Sequence, residues 1–212
     1  MGNQSAQPQG LYHPSFEHDA CGIGAIANIK GKKSHQIVVD AVDILINLEH
    51  RGGIGAERNT GDGAGILLQI PHRFFAIEAQ KHGIILPEPG KYAAGMLFLS
   101  AKQNLIPKGK ALFERIAKEE GFELLFWREV PHDGSRLGAT ALNCMPSIWQ
   151  PFIRCKKQDL PVMELERRLY VLRRLAEKAV LDDPELSKDT YYFSSLSART
   201  IVYKGPYDGT AH

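Results

Sequence analysis

Residues 21–27 read Cys21-Gly22-Ile23-Gly24-Ala25-Ile26-Ala27, which places a thiol at the start of a run of small and apolar residues. The twenty residues before this run are rich in Gln, Pro and His, a composition that indicates a short unstructured leader. Cleavage between Ala20 and Cys21 would leave one residue that carries both a thiol and a free α-amine. We therefore predict a leader over residues 1–20, a nucleophile at position 21 and one folded domain over residues 21–212.

The free α-amine is important because its ordinary pKa of about 7.7–8.0 lies close to neutral pH, where a general base works best. Before cleavage the same nitrogen belongs to an amide and cannot accept a proton. After cleavage it can take the proton of the thiol and raise the fraction of attacking thiolate. Two alternatives remain open: a lone cysteine beside glycines is commonly a small buried residue, and His18, His35 or His50 could supply the base instead.

The composition is typical of one globular domain and excludes several functional classes. The 212 residues are 43% hydrophobic and 24% charged, and the net charge of +2 gives no reason to expect nucleic acid as a partner. The cysteines, Cys21, Cys144 and Cys155, are too few and too irregularly spaced for a disulfide scaffold or a tetrahedral zinc site. No apolar run approaches the roughly 20 residues of a membrane helix. We predict a reduced, cytoplasmic protein without a metal or a membrane partner.

The first 130 residues alternate short apolar runs with segments of helical periodicity. Strands are predicted over residues 22–29, 66–70, 92–99 and 122–130, and helices over residues 37–46, 74–81 and 107–120. The helix over 37–46 has an apolar face that we expect to pack on a sheet. Residues 139–153 are apolar, but Pro146 and Pro151 interrupt them and their structure is left open.

The clearest helix is Val162–Leu181. One face carries an apolar stripe and the other a dense set of Arg and Glu, which we interpret as a solvated face. The stripe consists of Leu165, Leu169, Leu172, Ala176 and Val180. After this helix, residues 191–197 and 200–203 are predicted to form a hairpin that breaks near Ala198-Arg199.

Three further glycine-containing segments each allow a structural and a functional interpretation. The run Gly22-x-Gly24-x-x-Ala27 fits a dinucleotide fingerprint only weakly, and its glycines rather suit close passage of a backbone or substrate. In Glu49-His50-Arg51-Gly52-Gly53, the arginine can neutralise helix carbonyls or hold the nucleophile's loop. The run Thr60-Gly61-Asp62-Gly63-Ala64-Gly65 is a candidate phosphate nest, although a tight turn is favoured.

Four blocks, in their order and spacing, resemble the start of the glutamate synthase large chain. They are Glu17-x-Asp19-Ala20-Cys21-Gly22-x-Gly24, His50-Arg51-Gly52-Gly53-x-Gly55-Ala56, Thr60-Gly61-Asp62-Gly63-Ala64-Gly65 and Ser195-Leu196-Ser197-x-Arg199-Thr200. The resemblance covers the chain up to about Gly205. A phosphoribosyl-transferring amidotransferase of the same class fits these blocks less well.

This resemblance implies a type II glutamine amidotransferase domain of the N-terminal nucleophile hydrolase class. Such a domain is an α+β, four-layer αββα sandwich, and it would be incomplete in this chain. The resemblance also implies that the leader is removed and that the thiolate of Cys21 attacks the side-chain amide of L-glutamine, releasing ammonia. By position, Arg51 and Gly52 match the block that packs beside the nucleophile, and Asp62 matches a further block of the family.

Two blocks that the resemblance leads us to expect do not occur in these 212 residues. One is His-x-Arg-Phe-Ser-Thr, which holds the glutamine α-carboxylate, and the other is His-Asn-Gly-Glu, which forms the oxyanion hole. Loss of a single oxyanion donor typically costs about 10²–10³ in rate. We therefore keep an alternative in which the chain is a truncated, catalytically incompetent fragment or an interaction module that needs a partner chain.

The resemblance places no cofactor in this chain. It implies FMN and an iron–sulfur cluster in the remainder of the large chain. That remainder is itself an expected partner, and a small subunit is a further candidate.

Overall fold

A computed structural model describes residues 22–48, 63–135, 137–157 and 159–206. The chain divides into two compact units, one formed by residues 1–62 with 206–212 and the other by Gly63–Gly205. Within the described residues, no helix combines the length and the apolar character that a bilayer crossing requires.

The described part of the first unit contains one helix, α1 (His35–Leu48). The helix predicted over residues 37–46 is confirmed, but none of its residues is buried, so its packing on a sheet is not confirmed. The strand predicted over residues 22–29 is wrong, because residues 22–28 have no regular structure. The side-chain oxygen of Asn28 instead accepts hydrogen bonds from the backbone N–H groups of Lys30 (3.0 Å) and Lys32 (3.2 Å). These local bonds compete with strand pairing.

The second unit holds the remaining elements of the described chain, in alternating order. They are β1 (Gly63–Gln69), α2 (His72–Lys81), β2 (Ala93–Leu99), α3 (Ile106–Glu119), β3 (Phe122–Glu129), α4 (Ala139–Cys144), β4 (Ser147–Cys155), α5 (Val162–Leu181), a 3-10 helix (Leu186–Lys188), β5 (Tyr191–Ser197) and β6 (Thr200–Pro206). The larger sheet has the strand order β3-β4-β2-β5, and β1 pairs with β6 in a smaller sheet. All three strand pairs of the larger sheet are antiparallel.

Helices α3 and α5 cover one face of the larger sheet. The core on this face includes Leu97, Phe113, Leu169 and Phe193, all with no exposed surface. The apolar stripe predicted for the long helix is confirmed in full, since its five residues are the buried residues of α5. Burial of one such leucine or phenylalanine side chain stabilises the fold by about 1.5–3 kcal/mol.

Helix α2 and the smaller sheet cover the opposite face. The Phe126 and Phe152 rings stack there with centroids 4.3 Å apart, and Phe75 meets Phe152 edge-on at 4.9 Å. Ile201 of β6 and Ile70 beside β1 are buried in the same cluster. The unit therefore contains a helix layer, the larger sheet and the smaller sheet, which confirms the predicted α+β class. The complete four-layer sandwich is not confirmed by these residues.

The segment over residues 139–153 contains α4 and most of β4. Strand β4 lies in the interior of the sheet although Pro151 has no N–H to donate. Trp149 and Phe152 of β4 pair with Leu97 and Ala94 of β2, and Pro151 has no partner residue in β2. A Cβ on Gly95 would lie only 2.8 Å from Cγ of Pro151. A glycine in β2 therefore accommodates the proline in β4.

Strands β5 and β6 are correctly predicted as strands, but the predicted hairpin between them is wrong. β5 pairs with β2, whereas β6 pairs with β1 in the other sheet. Two-residue hairpin loops require positive φ angles. The chain instead passes Ala198 and Arg199 with negative φ angles, so it crosses from one sheet to the other.

Candidate functional site

The predicted site residues Cys21, Arg51, Gly52 and Asp62 lie outside the described residues, and their assignment stays a prediction. The structure does describe the residues that adjoin them in sequence. These neighbours are the segment that starts at Gly22, the end of α1, and the start of β1.

The two glycines after position 21 pack closely against α1. A Cβ on Gly24 would lie 2.2 Å from Cγ2 of Ile44, and a Cβ on Gly22 would lie 2.9 Å from Cδ2 of Leu48. Both distances are shorter than real Cβ contacts, so a larger residue at position 22 or 24 would force the Leu48 or Ile44 side chain to move. The sequence predicted close passage of a backbone or a substrate, and the structure shows side chains of α1 at this place. The segment after position 21 therefore contacts the helix that leads to residues 49–53.

The third glycine segment adopts a structure that the sequence did not predict. Gly63, Ala64 and Gly65 are the first residues of β1, so the tight turn is wrong for them, and residues 60–62 lie outside the described residues. A Cβ on Gly65 would lie 3.1 Å from the backbone oxygen of Tyr203 in β6. Successive N–H groups of a strand point to opposite sides. These three residues therefore do not form a phosphate nest.

The block from Ser195 to Thr200 connects the two sheets through hydrogen bonds to serine side chains. The hydroxyl of Ser197 accepts the backbone N–H groups of Arg199 (3.0 Å) and Thr200 (3.1 Å). The hydroxyl of Ser195 accepts the backbone N–H of Val202 at 3.0 Å. These bonds satisfy backbone groups that a hairpin partner would otherwise satisfy. The block has a structural role in the described part of the chain.

Sequence reasoning missed Glu166, which holds this connection in place. Its Oε1 atom accepts hydrogen bonds from the backbone N–H of Ala198 (2.8 Å) and the hydroxyl of Ser197 (3.1 Å). The interpretation of all charged residues of α5 as a solvated face is therefore wrong at this position. A signal was present in the sequence, because Glu166 follows the buried Leu165 and lies three residues before the buried Leu169.

A polar network links α2, β3, β4 and β6. Gln150 is fully buried, its Nε2 donates to Oη of Tyr203 at 3.1 Å, and its Oε1 accepts from Arg128 at 2.9 Å. Nε of Arg128 also donates to Glu78 at 2.8 Å, and this bond, with a smaller effect of Lys81, lowers the pKa of Glu78. Each of these side chains has a partner, as the burial of polar groups requires. The network joins the two sheets.

The described residues show no metal cluster. No three His, Cys, Asp or Glu side chains in this part of the chain lie close enough to hold a metal ion. An open groove of about 280 Å³ lies between α3 and α5, and Arg115, Glu119 and Leu175 are among its lining residues. Arg115 and Glu119 form an exposed ion pair with each other at 3.1 Å. This groove is on the helix layer, away from the glycine-rich blocks in sequence.

The α+β fold and the four blocks agree with the comparison to known families. The family described as glutamine amidotransferases class-II matches residues 21–210, and the chain belongs to this family. Its relatives include glutamate synthases, which confirms the resemblance inferred from the sequence. The chain is 43% identical over 204 residues to the glutamate synthase (NADPH) large chain of Bacillus subtilis, a match that covers 96% of this chain and 13% of that protein.

Two further relatives show the same relationship. The chain is 43% identical over 189 residues to the chloroplastic ferredoxin-dependent glutamate synthase 2 of Arabidopsis thaliana, covering 89% of this chain and 11% of that protein. It is 38% identical over 202 residues to the glutamate synthase (NADH) of Schizosaccharomyces pombe, covering 93% of this chain and 9% of that protein. The chain thus spans only a small part of each of these relatives.

Proposed function

We propose that residues 21–210 form the glutaminase part of a glutamate synthase, with Cys21 as the nucleophile and its own α-amine as the base. The observation that carries this proposal is the family match, which begins at Cys21 itself. The identity to glutamate synthases over nearly the whole chain supports glutamine as the substrate.

The proposed reaction begins after hydrolysis of the bond between Ala20 and Cys21, which frees the α-amine. The amine takes the proton from Sγ, and the thiolate attacks the side-chain carbonyl carbon of L-glutamine. The C–N bond breaks, and the nitrogen takes the proton from the α-ammonium group and leaves as ammonia. The acyl group remains on sulfur as a thioester.

In the second half of the reaction, the same amine takes a proton from water, and the resulting hydroxide attacks the thioester carbon. The C–S bond breaks, the sulfur takes the proton back, and glutamate is released. One nitrogen thus acts as base and then as acid in each half, which suits an amine whose ordinary pKa lies near neutral pH.

We further propose that Arg51 and Gly52 pack beside the nucleophile, and that Asp62 orders the same site. Support for the first part comes from the contact between Gly22 and Leu48, since these residues closely adjoin Cys21 and Arg51 in sequence. We also propose the four-layer αββα architecture. It is supported by the helix layer, larger sheet and smaller sheet of the second unit.

The ammonia released here would serve glutamate synthesis from 2-oxoglutarate in the remainder of a larger chain. The three relatives are named after NADPH, ferredoxin and NADH, respectively. The electron donor therefore differs among them. FMN and an iron–sulfur cluster would act in that remainder. The residues of this chain do not fit such a cluster, which is commonly held by four Cys thiolates, because the chain has three cysteines and one of them is the proposed nucleophile.

The remainder of the large chain is thus the proposed partner, and a small subunit is a further candidate. A reducing compartment such as the cytoplasm is proposed because the nucleophile must stay a free thiol. The alternative of an incompetent fragment or interaction module is not favoured, because the family match extends over residues 21–210.

A glutamine analogue with an electrophilic diazoketone group tests the nucleophile. We expect one label per chain, on Cys21, and slower labelling when L-glutamine is added. The C21A variant should take no label, whereas the matched C144A variant should be labelled like the parent chain. Equal labelling of Cys21, Cys144 and Cys155, or the absence of any label, would count against the proposal.

A further inference from the structure

The side of α5 that faces away from the core carries a row of exposed residues without a carboxylate. The members of this outer row follow one another at spacings of three or four residues, which places them on adjacent turns of one face. The outer row consists of Met163, Arg167, Tyr170, Arg174, Lys178 and Leu181. Val171 and Leu175, which are also exposed, lie beside it. The sequence predicted a solvated face of Arg and Glu here, whereas half of the outer row is apolar.

The apolar members of the outer row are widely open to solvent. Met163 is 55% exposed, Tyr170 64% and Leu181 73%. Helix α3 covers the same face of the larger sheet, yet it exposes no large apolar side chain, and its exposed residues include Lys118 and Glu119. The position of a helix on this sheet therefore does not explain the exposed apolar surface of α5. A contiguous surface of this kind marks a contact with another protein surface.

The charge of the outer row indicates the chemistry of its partner. Helix α5 has five basic residues against three acidic ones, and the three charged members of the outer row are all basic. Glu164 lies beside the row and pairs with Arg167 at 3.5 Å. Glu177 pairs in the same way with Arg174 at 2.5 Å. Because positive charge remains in excess, a complementary surface carries carboxylates between apolar side chains.

A second copy of this chain fits the outer row poorly. In a two-fold antiparallel arrangement of two α5 helices, Arg167 of one copy would face Lys178 of the other, and like charges that face each other oppose association. A helix of 20 residues presents a face about 30 Å long and about 10 Å wide, so that two such faces bury roughly 600 Å². A stable complex of separate chains needs about 1,200–2,000 Å², whereas domains of one chain contact each other over areas from about 600 Å².

We propose that the outer row of α5 is the surface on which this chain docks onto the remainder of the large chain, against carboxylates and apolar side chains. The inference rests on the proposed function, because it takes that remainder as the partner. The match covers only between 9% and 13% of the three relatives, so most of each relative lies outside the matched part. A covalent connection gives the remainder a high effective concentration, so a contact too small for a separate partner is sufficient.

Nitration of tyrosine rings by tetranitromethane measures whether this surface is covered. The same tyrosines are compared in the 212-residue chain and in a full-length large chain that carries it. We expect Tyr170 to react about tenfold more slowly in the full-length protein, because the core of an interface is packed like a protein interior. Tyr92 is 1% exposed and reports on the fold, so it should stay unmodified in both proteins.

A charge reversal tests the chemistry of the partner surface. In the full-length R174E variant, nitration of Tyr170 should rise toward the rate of the 212-residue chain, because a carboxylate in the outer row repels an acidic partner. R73E is the matched control, since Arg73 is exposed on α2, which covers the opposite face of the larger sheet. This variant should leave Tyr170 protected, and an equal effect of the two variants overturns the proposal.

Equal nitration of Tyr170 in the 212-residue chain and the full-length protein also overturns the proposal. The same holds for protection of Tyr170 that grows with the concentration of the 212-residue chain, because a second copy would then cover the row. The diazoketone label on Cys21 separates this result from the proposed function. A full-length protein that takes the label but leaves Tyr170 reactive contradicts the docking surface alone, whereas one that takes no label contradicts the proposed function and this inference with it.

Discussion

The carboxylate of Glu166 accepts the backbone N–H of Ala198 at 2.8 Å and thereby fastens α5 to the connection between β5 and β6. The same connection is tied to the end of β1, because the carbonyl of Arg199 accepts the backbone N–H of Ile70 at 2.9 Å. One helix carboxylate thus helps to fix the point at which the chain passes from the larger sheet to the smaller one.

Replacement of Glu166 by alanine should destabilise the protein. The change leaves the N–H of Ala198 and the hydroxyl of Ser197 without their acceptor, which costs about 1–3 kcal/mol in the free energy of unfolding. The E166Q variant keeps an acceptor oxygen and should lose less. Urea unfolding measures these differences.

The matched control for this prediction is E164A on the same helix. Glu164 forms only exposed or half-exposed ion pairs with Arg167 and Arg168, so its removal should change the free energy of unfolding by less than about 1 kcal/mol. If E164A and E166A lose the same free energy of unfolding, the hydrogen bond from Ala198 to Glu166 stabilises the fold no more than an exposed ion pair does.

The G95A substitution should destabilise the larger sheet. The new Cβ would lie 2.8 Å from Cγ of Pro151 and 3.1 Å from Cδ1 of Leu196, and β2 has neighbours on both sides. Overpacking of this kind costs about 1–3 kcal/mol. G205A is the control, since a Cβ there meets no atom within 4 Å. Thermal unfolding that shifts equally in the two variants would contradict the account of Gly95.

The acid sensitivity of the fold should depend in part on Asp189. The hydrogen bond from Lys102, with further bonds from Ser100 and the backbone of Thr190, lowers the pKa of Asp189 from 3.8 to about 2. Because the folded pKa lies below the unfolded one, this carboxylate stabilises the fold fully above about pH 3.8. The contribution is lost as the pH falls through that value toward about 2.

The measurement is the difference in unfolding free energy between the parent chain and D189N, from neutral pH down to about pH 2. We expect the difference to shrink as the pH falls. D159N is the control, because Asp159 pairs with Lys91 while its own side chain is 90% exposed, so the substitution should change the free energy of unfolding by less than about 1 kcal/mol. A D189N difference that is independent of pH would refute this assignment.

The sequence predicted helices more accurately than strand partners. The buried stripe of α5 follows from a period of 3.6 residues, which depends only on neighbours along one helix. Strand pairing instead depends on distant residues, such as Leu196 opposite Gly95 in β2. For this reason β5 and β6 were correct as strands while the hairpin between them was wrong. The strand predicted over residues 22–29 was wrong, and residues 22–28 pair with no strand among the described residues.

The candidate site was predicted from the order and spacing of the four sequence blocks, because the periodicity of helices and strands carries no information on chemistry. Helical spacing places Glu166 beside the buried Leu165 and Leu169, but its acceptor role depends on a backbone N–H that lies 32 residues further along the chain. The close packing of Gly22 and Gly24 was foreseen as a need for space near Cys21, but the side chains of α1 that fill it were not.

Determination of the first residue of the glutamine-active protein, by intact mass and N-terminal sequencing, tests the central claim most directly. The account predicts that the mature chain begins at Cys21, that residues 1–20 are absent, and that the diazoketone analogue labels this same first residue. A protein that hydrolyses glutamine, or takes the label, while it retains any residue before Cys21 would contradict the account, because its α-amine could not serve as the base.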